Sequence, residues 1–313
     1  MNYFTTLKHY NTLSEYYKSK YQTKVFKIAL NGNFTCPNKD GTVGYGGCTF
    51  CSSLGSGDFA GAKDLPIKEQ FETIKTMMLK KWPEGYYIAY FQANTNTHGP
   101  LSKLKKLFEE VLTLDKKIIG LSIATRPDCL PKEVLDYLNE LNKKIPLQVE
   151  LGLQTIHDKT SILINRLHSL ACFDEAVLNL KARNIEVVAH IINGLPLETK
   201  AMMVATVKHL NTLPIDGLKI HMLHIMKKTK MGHDYLKKPF SLLSLEEYVE
   251  TVVLQLRNLR SDIIIHRLTG DAPKKLLIAP KWTLKKFVVA NEIDKIMRAN
   301  NYYQGDLYEE TDA

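Results

Sequence analysis

Cys36, Cys48 and Cys51 lie in one stretch of sixteen residues, CPNKDGTVGYGGCTFC, which also holds four glycines and a single acidic side chain. Thiolate is a soft ligand suited to zinc, copper(I) or iron-sulfur clusters. A closed structural zinc site needs four ligands, and a zinc ribbon should show a second C-x-x-C pair. The sequence has none, and the first histidine after the cluster is His98. Three cysteines on a four-iron cluster instead leave one iron open, where a substrate or cofactor can chelate. Gly41, Gly44, Gly46 and Gly47 let the backbone wrap closely around such a group, and Pro37 helps fix the turn. Five cysteines are an odd number, and the crowding of three argues for metal or redox chemistry rather than a disulfide framework. Cys129 and Cys172 stand alone and read as small buried residues.

A loop of this kind must be held by something rigid. Short apolar runs alternate with amphipathic ones along the chain: VFKIAL, YYIAYFQ, IIGLSIAT, LQVELGLQ, IEVVAHIING, GLKIHMLHI and DIIIHRL are rich in β-formers and read as strands buried on both faces. Between them lie the helical patterns IKEQFETIKTMMLKKW, LSKLKKLFEEVLTL, PKEVLDYLNELNKK, CFDEAVLNLKARN, KAMMVATVKHLNTL and LSLEEYVETVVLQLRNLR. Pro131 suits a helix start, and Ser102 or Ser244 suits a helix N-terminus. The spacing is that of repeated strand-helix units, which predicts an α/β fold: a βα barrel or partial barrel over residues 24–270. The cysteine loop then occupies residues 32–57, after the first strand, with a helical extension over 1–23 and another over 271–313. No linker rich in Gly, Ser or Pro interrupts the barrel, which predicts one main domain.

In such a fold, chemistry collects at the carboxyl ends of the strands. Those ends are polar here: NGNFTCPNKD, QANTNTH, TRPD, LQT and INGLP follow the first five strands. Hydrophobic content of 44% and charged content of 24% are those of a globular protein. No apolar run approaches bilayer-spanning length and the opening residues lack a signal-peptide pattern, so the sequence predicts a cytoplasmic protein without membrane association. The net charge of +9 suits an anionic partner such as nucleic acid, although the lysines are scattered as on ordinary solvated helix faces. His190, His221, His224 and His266 read as packed or hydrogen-bonded strand residues rather than metal ligands.

Taken together, CPNKDGTVGYGGCTFC, YFQANTNT, ATRPD, VELGLQT and HIINGLP resemble the radical S-adenosylmethionine (radical SAM) superfamily. The lengthened first gap between cysteines, in place of C-x-x-x-C-x-x-C, narrows the resemblance to the YtqA/YhcC-type subgroup, also called MnmL-type, over nearly the whole chain. The elongator catalytic subunit, a wobble-uridine enzyme, is similar in its widened cysteine spacing and in TRPD and VELG-Q elements. The resemblance implies a partial (βα)6 TIM-type barrel. It also implies a 4Fe-4S cluster on Cys36, Cys48 and Cys51, and S-adenosylmethionine chelated to the fourth iron and cleaved reductively to a 5′-deoxyadenosyl radical.

The same resemblance implies cofactor contacts at Phe50, at Gln92, Asn94 and Thr95 after the second strand, at Ser122, Thr125 and Arg126 ending the third, at Glu150 and Gln154 on the fourth, and at Asn193 ending the fifth. The acidic Gly-Gly-Glu element of other members is absent after the second strand. Arg126-Pro127-Asp128 also reads as a turn closed by an ion pair. No residue is assigned a catalytic role. Toward the end of the chain, APKWTLKKFVVANEIDKIMRANNYYQG predicts a basic amphipathic helix in which Lys281, Trp282, Lys285, Lys286 and Arg298 suit a phosphate backbone and a splayed base; a helix that closes the barrel fits equally. The subgroup resemblance implies tRNA as substrate, modified at the C5 substituent of wobble uridine in the 5-methylaminomethyl-2-thiouridine pathway. It further implies a flavodoxin or ferredoxin-type electron donor and a functional link to a tRNA methyltransferase. A radical SAM enzyme acting on a small metabolite or peptide, and a non-catalytic iron-sulfur RNA-binding protein, are the alternatives.

Overall fold

The computed structural model describes residues 2–52, 55 and 57–309. Residues 53, 54 and 56 of the expected cysteine loop, and residues 1 and 310–313 of the two extensions, lie outside the described residues. Strands β1 (Val25–Leu30), β2 (Tyr86–Phe91), β3 (Ile118–Thr125), β4 (Leu147–Gln154), β5 (Glu186–Asn193), β6 (Gly217–Met222) and β8 (Ile264–Arg267) form one sheet in that order, a curled half-barrel of seven parallel strands. The seventh strand comes from the DIIIHRL run. The GLKIHMLHI run divides into β6 and β7 (Ile225–Met226), and β7 pairs antiparallel with β9 (Leu277–Ala279) in a small second sheet.

The helices between strands are α2 (Ile67–Leu79), α3 (Leu101–Leu112), α4 (Lys132–Asn142), α5 (Asp158–Leu163) with α6 (Leu170–Lys181), α7 (Lys200–Asn211), and α8 (Lys230–Lys237) with α9 (Leu245–Asn258); α1 (Leu13–Tyr21) precedes β1 and α10 (Lys286–Ala299) follows β9. Their apolar stripes set which face is buried. Leu104, Phe108 and Val111 of α3, four and three residues apart, are fully buried. Truncating a ring such as Phe108 to alanine typically costs about 3–5 kcal/mol. The Ser244 hydroxyl and Glu247 carboxylate close a capping box at the start of α9, and Pro131 immediately precedes α4. Ser102 lies near the N-terminus of α3, in its first turn, with Pro100 at the cap.

The chain divides into two compact units: Tyr17–Gly152 with Leu167–Val188, and Met1–Tyr16 with Leu153–Arg166 and Ala189–Ala313. In the first, the Nζ of Lys27 on β1 donates to Oε1 of Glu150 (2.6 Å) and to Oε1 of Gln148 (2.7 Å), both on β4. Three strand spacings in a flat sheet would separate these strands by about 14 Å. Two side chains meet across that gap only on a concave face, so this contact reports the curl. The Tyr90 hydroxyl donates to the other Glu150 oxygen at 2.5 Å and Ser122 Oγ donates to Oε1 at 3.1 Å. Strands β2, β3 and β4 are buried along nearly their whole length, as expected of strands covered on both faces, but one face carries polar side chains. Single polar residues, Lys27, Tyr90, Ser122, Gln148 and Glu150, collect on one face and satisfy one another.

In the second unit the two extensions fasten to each other. Lys8 and the Tyr10 hydroxyl both donate to Asp294 of α10, His9 Nδ1 lies 2.9 Å from the Tyr302 carbonyl, and the Asn11 amide donates to Gln304 Oε1 at 2.9 Å. Burial and the Asp294 carboxylate push the Tyr10 hydroxyl far above the usual phenol range. Val289, Ile293 and Met297 form the buried face of α10.

The Glu150 carboxylate is fully buried and Lys27 is half-buried, its side chain 17% exposed, and an ion left buried after its partner is removed costs about 3–5 kcal/mol. Lys27→Met should therefore lower the unfolding free energy by roughly 3 kcal/mol, and Lys27→Met/Glu150→Gln should recover part of that loss. Urea unfolding reads both; a loss under about 1 kcal/mol in the single variant would show that the pair is not what holds the curl.

Candidate iron-sulfur and cofactor site

The cysteine loop is folded on its own backbone. The amides of Lys39 and Asp40 donate to the Cys36 carbonyl (2.7 and 3.1 Å), those of Val43 and Gly44 to the Pro37 carbonyl, and that of Gly47 to the Asn38 carbonyl (2.7 Å). Gly46 and Gly47 adopt φ of 78° and 77°, which side-chain-bearing residues rarely take, just before Cys48. The Cys51 amide donates to the Cys48 carbonyl at 3.0 Å, so the C-x-x-C pair forms one turn. Lys39 Nζ ties the loop to its surroundings through the Ser52 carbonyl (3.1 Å) and Asn94 Oδ1 (3.3 Å), while Asn94 Nδ2 donates to the Phe34 carbonyl. His98 Nε2 and Asp40 Oδ2 close the outer side at 2.9 Å. Against the upward push of burial, hydrogen bonds from Thr42 and His98 bring the Asp40 carboxyl down to about 2.

None of the three cysteines forms a disulfide, and all three are half-buried. The Cys51 thiol is pushed well up by a hydrogen bond with Cys48, by burial, and by the Cys48 and Cys36 thiols, with Lys39 pulling the other way. Cys48 and Cys36 thus oppose the ionisation of Cys51, and a bound cationic cluster is what would stabilise it as a thiolate. The donor set fits an iron-sulfur cluster. No group of three His, Cys, Asp or Glu side chains among the described residues converges on a single ion, and on a four-iron cluster three thiolates bind three different irons.

Arg126 ends β3 beside this loop. Its guanidinium donates twice to the Asp128 carboxylate (2.8 and 2.7 Å), so the turn is closed by an ion pair. Burial would lower its pKa, but Asp128 and the Cys36 and Cys48 sulfurs outweigh that and raise it, keeping a fixed cation against the cysteines. Thr125 Oγ1 sits 2.5 Å from Thr97 Oγ1, which donates to the Cys129 carbonyl. Cys129 is buried as expected and its thiol is pushed up by burial and by Asp128, whereas Cys172 is only half-buried. Gln92 and Phe50 are half-buried, and Thr95 is buried with its amide on the Thr35 carbonyl.

The remaining expected contacts are distributed differently. Ser122 and Glu150 are buried in the Lys27 network, and Glu150 already accepts from three groups. Gln154 ends β4 with φ of 62° and stays half-buried. The Asn193 amide is locked reciprocally with Gln255 of α9 at 2.7 and 2.9 Å. Asn193 and Gly194 line a small cleft with Met222, Leu223, Leu243, Tyr248 and Trp282. The basic helix expected over residues 279–305 begins only at Lys286, because Lys281–Leu284 form a 3-10 turn after Pro280. That turn points Trp282 inward: its indole Nε1 donates to the Leu243 carbonyl at 2.9 Å and its ring lies 5.3 Å from Tyr248. Lys281 donates to the Leu277 carbonyl (2.6 Å), Lys286 pairs with Asp271 (2.7 Å) and Arg298 donates to the Leu7 carbonyl (3.1 Å); Lys285 is exposed. Sequence reasoning missed Lys27, Lys39 and Arg166. A lysine inside VFKIAL was a visible signal for the first. Arg166, fully buried, donates to the Leu153 and Thr155 carbonyls and fixes the end of β4.

The fold and the cysteine loop define a radical SAM protein. The Radical SAM superfamily pattern matches residues 41–210 and the Radical_SAM C-terminal domain matches residues 215–299. Cys36 precedes the matched stretch. The chain belongs to the radical SAM superfamily. It is 49% identical over 307 residues to the uncharacterized protein YtqA of Bacillus subtilis, covering 98% of this chain and 95% of that protein. It is 35% identical over 279 residues to YhcC of Escherichia coli K12, covering 89% of each. A shorter similarity, 26% over 189 residues, 59% of this chain and 34% of the relative, joins it to the tRNA uridine(34) acetyltransferase of Methanocaldococcus infernus. Among solved structures, that of Elp3 from the same archaeon, lacking its N-terminus, superposes with a TM-score of 0.67 at 16% identity over 90% of this chain and 64% of that one, a likeness of fold. The family implies a SAM-dependent iron-sulfur enzyme, and no helix among the described residues is long and apolar enough to cross a membrane.

Anaerobic reconstitution should load about four irons and four sulfides; Cys36→Ala, Cys48→Ala and Cys51→Ala should each abolish the charge-transfer absorbance, and Cys129→Ala and Cys172→Ala should keep it. Stoichiometric zinc without that absorbance would overturn the assignment.

A pH dependence follows from His224, just after β6. Burial, opposed by Asp271 and aided by Arg267, takes its imidazole from 6.5 down to about 4. The unfolded chain then binds the proton first as pH falls, so the stability present above 6.5 is lost between 6.5 and 4. The loss is on the order of 3 kcal/mol at most. Unfolding midpoints of wild type and His224→Gln across that window should converge toward low pH; parallel curves would contradict a buried neutral His224.

Proposed function

We propose that this protein modifies the C5 substituent of wobble uridine in tRNA, converting carboxymethylaminomethyluridine to aminomethyluridine in the 5-methylaminomethyl-2-thiouridine pathway. The observation that carries this reading is the similarity to an enzyme named for uridine 34 of tRNA, spanning 59% of this chain. The Elp3-like fold and the widened cysteine gap support it. When bound, the cluster on Cys36, Cys48 and Cys51 and its S-adenosylmethionine supply a 5′-deoxyadenosyl radical for hydrogen abstraction.

The chain's own residues hold and insulate that chemistry. Arg126, kept charged by Asp128, offers a fixed cation beside the cysteines that suits a carboxylate. Lys39 and Asn94 brace the loop against the end of β2, and His98 with Asp40 braces its outer side. Thr95 and Thr125 are buried after β2 and at the end of β3, and Phe50 is half-buried in the cysteine loop, burial that would limit the access of water. The electron donor is a flavodoxin or ferredoxin-type protein, and a separate methyltransferase completes the modification.

A radical SAM enzyme acting on a small metabolite or peptide is the second reading. One observation favours it: Lys281, Lys286 and Arg298 are engaged within the chain rather than projecting as a free basic stripe.

Two measurements separate the readings. Reduced, reconstituted protein should form 5′-deoxyadenosine faster when given tRNA lacking the final modification. Mass spectrometry of digested tRNA from cells without the gene should show carboxymethylaminomethyluridine accumulating, and an unchanged profile where no second route exists would favour the small-molecule reading.

A further inference from the structure

The basic charge of the chain is not spread evenly. Of its 42 Lys and Arg and 33 Asp and Glu, residues 225–240 and 267–287 hold eleven basic and two acidic side chains, which leaves 31 of each elsewhere. The whole excess of +9 therefore resides in two segments of the second unit. The small sheet brings them together. β7 pairs antiparallel with β9, with Met226 opposite Leu277, and the Lys227 amide donates to the Leu276 carbonyl at 2.7 Å. That pairing sets Lys227 and Lys228, which follow β7, beside Lys274 and Lys275, which precede β9. All four are exposed.

The start of α10 joins this group. Lys286 pairs at 2.7 Å with Asp271, which lies just before Lys274 in the chain, so its neighbours Lys285 and Phe287 are held close to the same turn. Lys285 is exposed, and Phe287 is 74% exposed with the Lys286 Nζ 5.7 Å from its ring centre. Both acidic residues of the two segments are already taken, Asp271 by Arg267 and Lys286, and Asp234 by Lys230. Among the described residues no carboxylate pairs with Lys227, Lys228, Lys274, Lys275 or Lys285.

Like charges gathered on one surface repel one another, and an anion that spans them removes that cost. The residue types choose the anion. Protein–protein interfaces favour Arg and are depleted in Lys, whereas Lys meets phosphate as a point charge. An exposed aromatic ring beside a row of such charges suits a single strand, with phosphates on the lysines and a base on the ring. We infer that the β7–β9 surface binds RNA: Lys227, Lys228, Lys274, Lys275 and Lys285 take phosphates of the strand and Phe287 stacks with an unpaired base. This rests on the proposed tRNA substrate. It moves the contact away from Lys281, Trp282 and Lys286, which are held within the chain.

The test uses full-length reconstituted protein and tRNA from cells lacking the gene, with affinity measured between about 50 and 200 mM salt. Each lysine that meets a phosphate adds about 0.7–0.9 to the steepness of log affinity against log salt. The variant Lys227→Gln/Lys228→Gln/Lys274→Gln/Lys275→Gln should lower that steepness by about 3 and weaken binding at least tenfold at the low-salt end, on the order set by counterion release. Phe287→Ala should weaken binding by about fivefold or more with the steepness unchanged, the mark of a lost stacking contact. Lys105→Gln/Lys106→Gln/Lys116→Gln/Lys117→Gln removes the same charge from exposed lysines of the first unit and should change neither quantity. Wild-type steepness in the β7–β9 variant, or an equal loss in the first-unit variant, would overturn the inference.

Further outcomes separate this surface from the reading it rests on. If the β7–β9 variant loses tRNA affinity as expected while the wobble-uridine profile of cells without the gene is unchanged, the modification reading fails and the RNA surface stands. If the variant keeps its tRNA affinity but no longer binds phosphatidylserine vesicles, or no longer accepts electrons from an acidic flavodoxin, the surface serves a different anionic partner and the inference is overturned. A wild-type protein that binds no tRNA overturns it as well.

Discussion

Within one short loop Cys48 and Cys36 oppose the ionisation of the Cys51 thiol, and the structure is arranged around that constraint. The loop does not separate them. Backbone bonds to the Cys36, Pro37 and Asn38 carbonyls, and left-handed turns at Gly46 and Gly47, keep Cys48 and Cys51 beside Cys36. The balancing positive charge comes from Lys39 and from Arg126, whose ion pair with Asp128 fixes it in place. A cluster bound by the three sulfurs would complete the balance, and the absence of a fourth cysteine in the loop leaves a coordination position for a cofactor.

The sheet gives this loop its fixed mounting. A contact from β1 to β4 requires curl, and the Lys27–Glu150 pair lies on the concave face with Tyr90, Ser122 and Gln148 supplying the remaining hydrogen bonds. Polar residues on the strands serve two purposes. Some, such as Glu150, are consumed in holding the strands; others, such as Arg126 after β3, keep a charge beside the cysteine loop. The same residue types in sequence therefore carry different roles, and the difference is set by whether a neighbour on another strand reaches them.

This explains what was legible in the sequence. Each strand-helix unit could be read from its own segment, because an apolar run such as IIGLSIAT and a stripe such as Leu104, Phe108 and Val111 carry their period locally. The cysteine loop was legible for the same reason, since all three ligand candidates fall within sixteen residues. Register was not. That Lys27 meets Glu150, that Lys219 faces Arg267, and that Asn193 is locked to Gln255 depend on strand order and curl, which no single segment encodes. The last helix was placed too early because Trp282 and Lys281 fit its pattern, yet Pro280 precedes a 3-10 turn and the indole finds its acceptor inside. Strands β7 and β9, two and three residues long, are too short to leave a periodic trace.

The central claim is that Cys36, Cys48 and Cys51 hold a four-iron cluster with one iron open to S-adenosylmethionine. Electron paramagnetic resonance of the reconstituted, dithionite-reduced protein tests it most directly. A signal from a reduced 4Fe-4S cluster whose g-values move when S-adenosylmethionine is added is the expected result. A signal indifferent to S-adenosylmethionine, or no cluster signal after reduction, would contradict it.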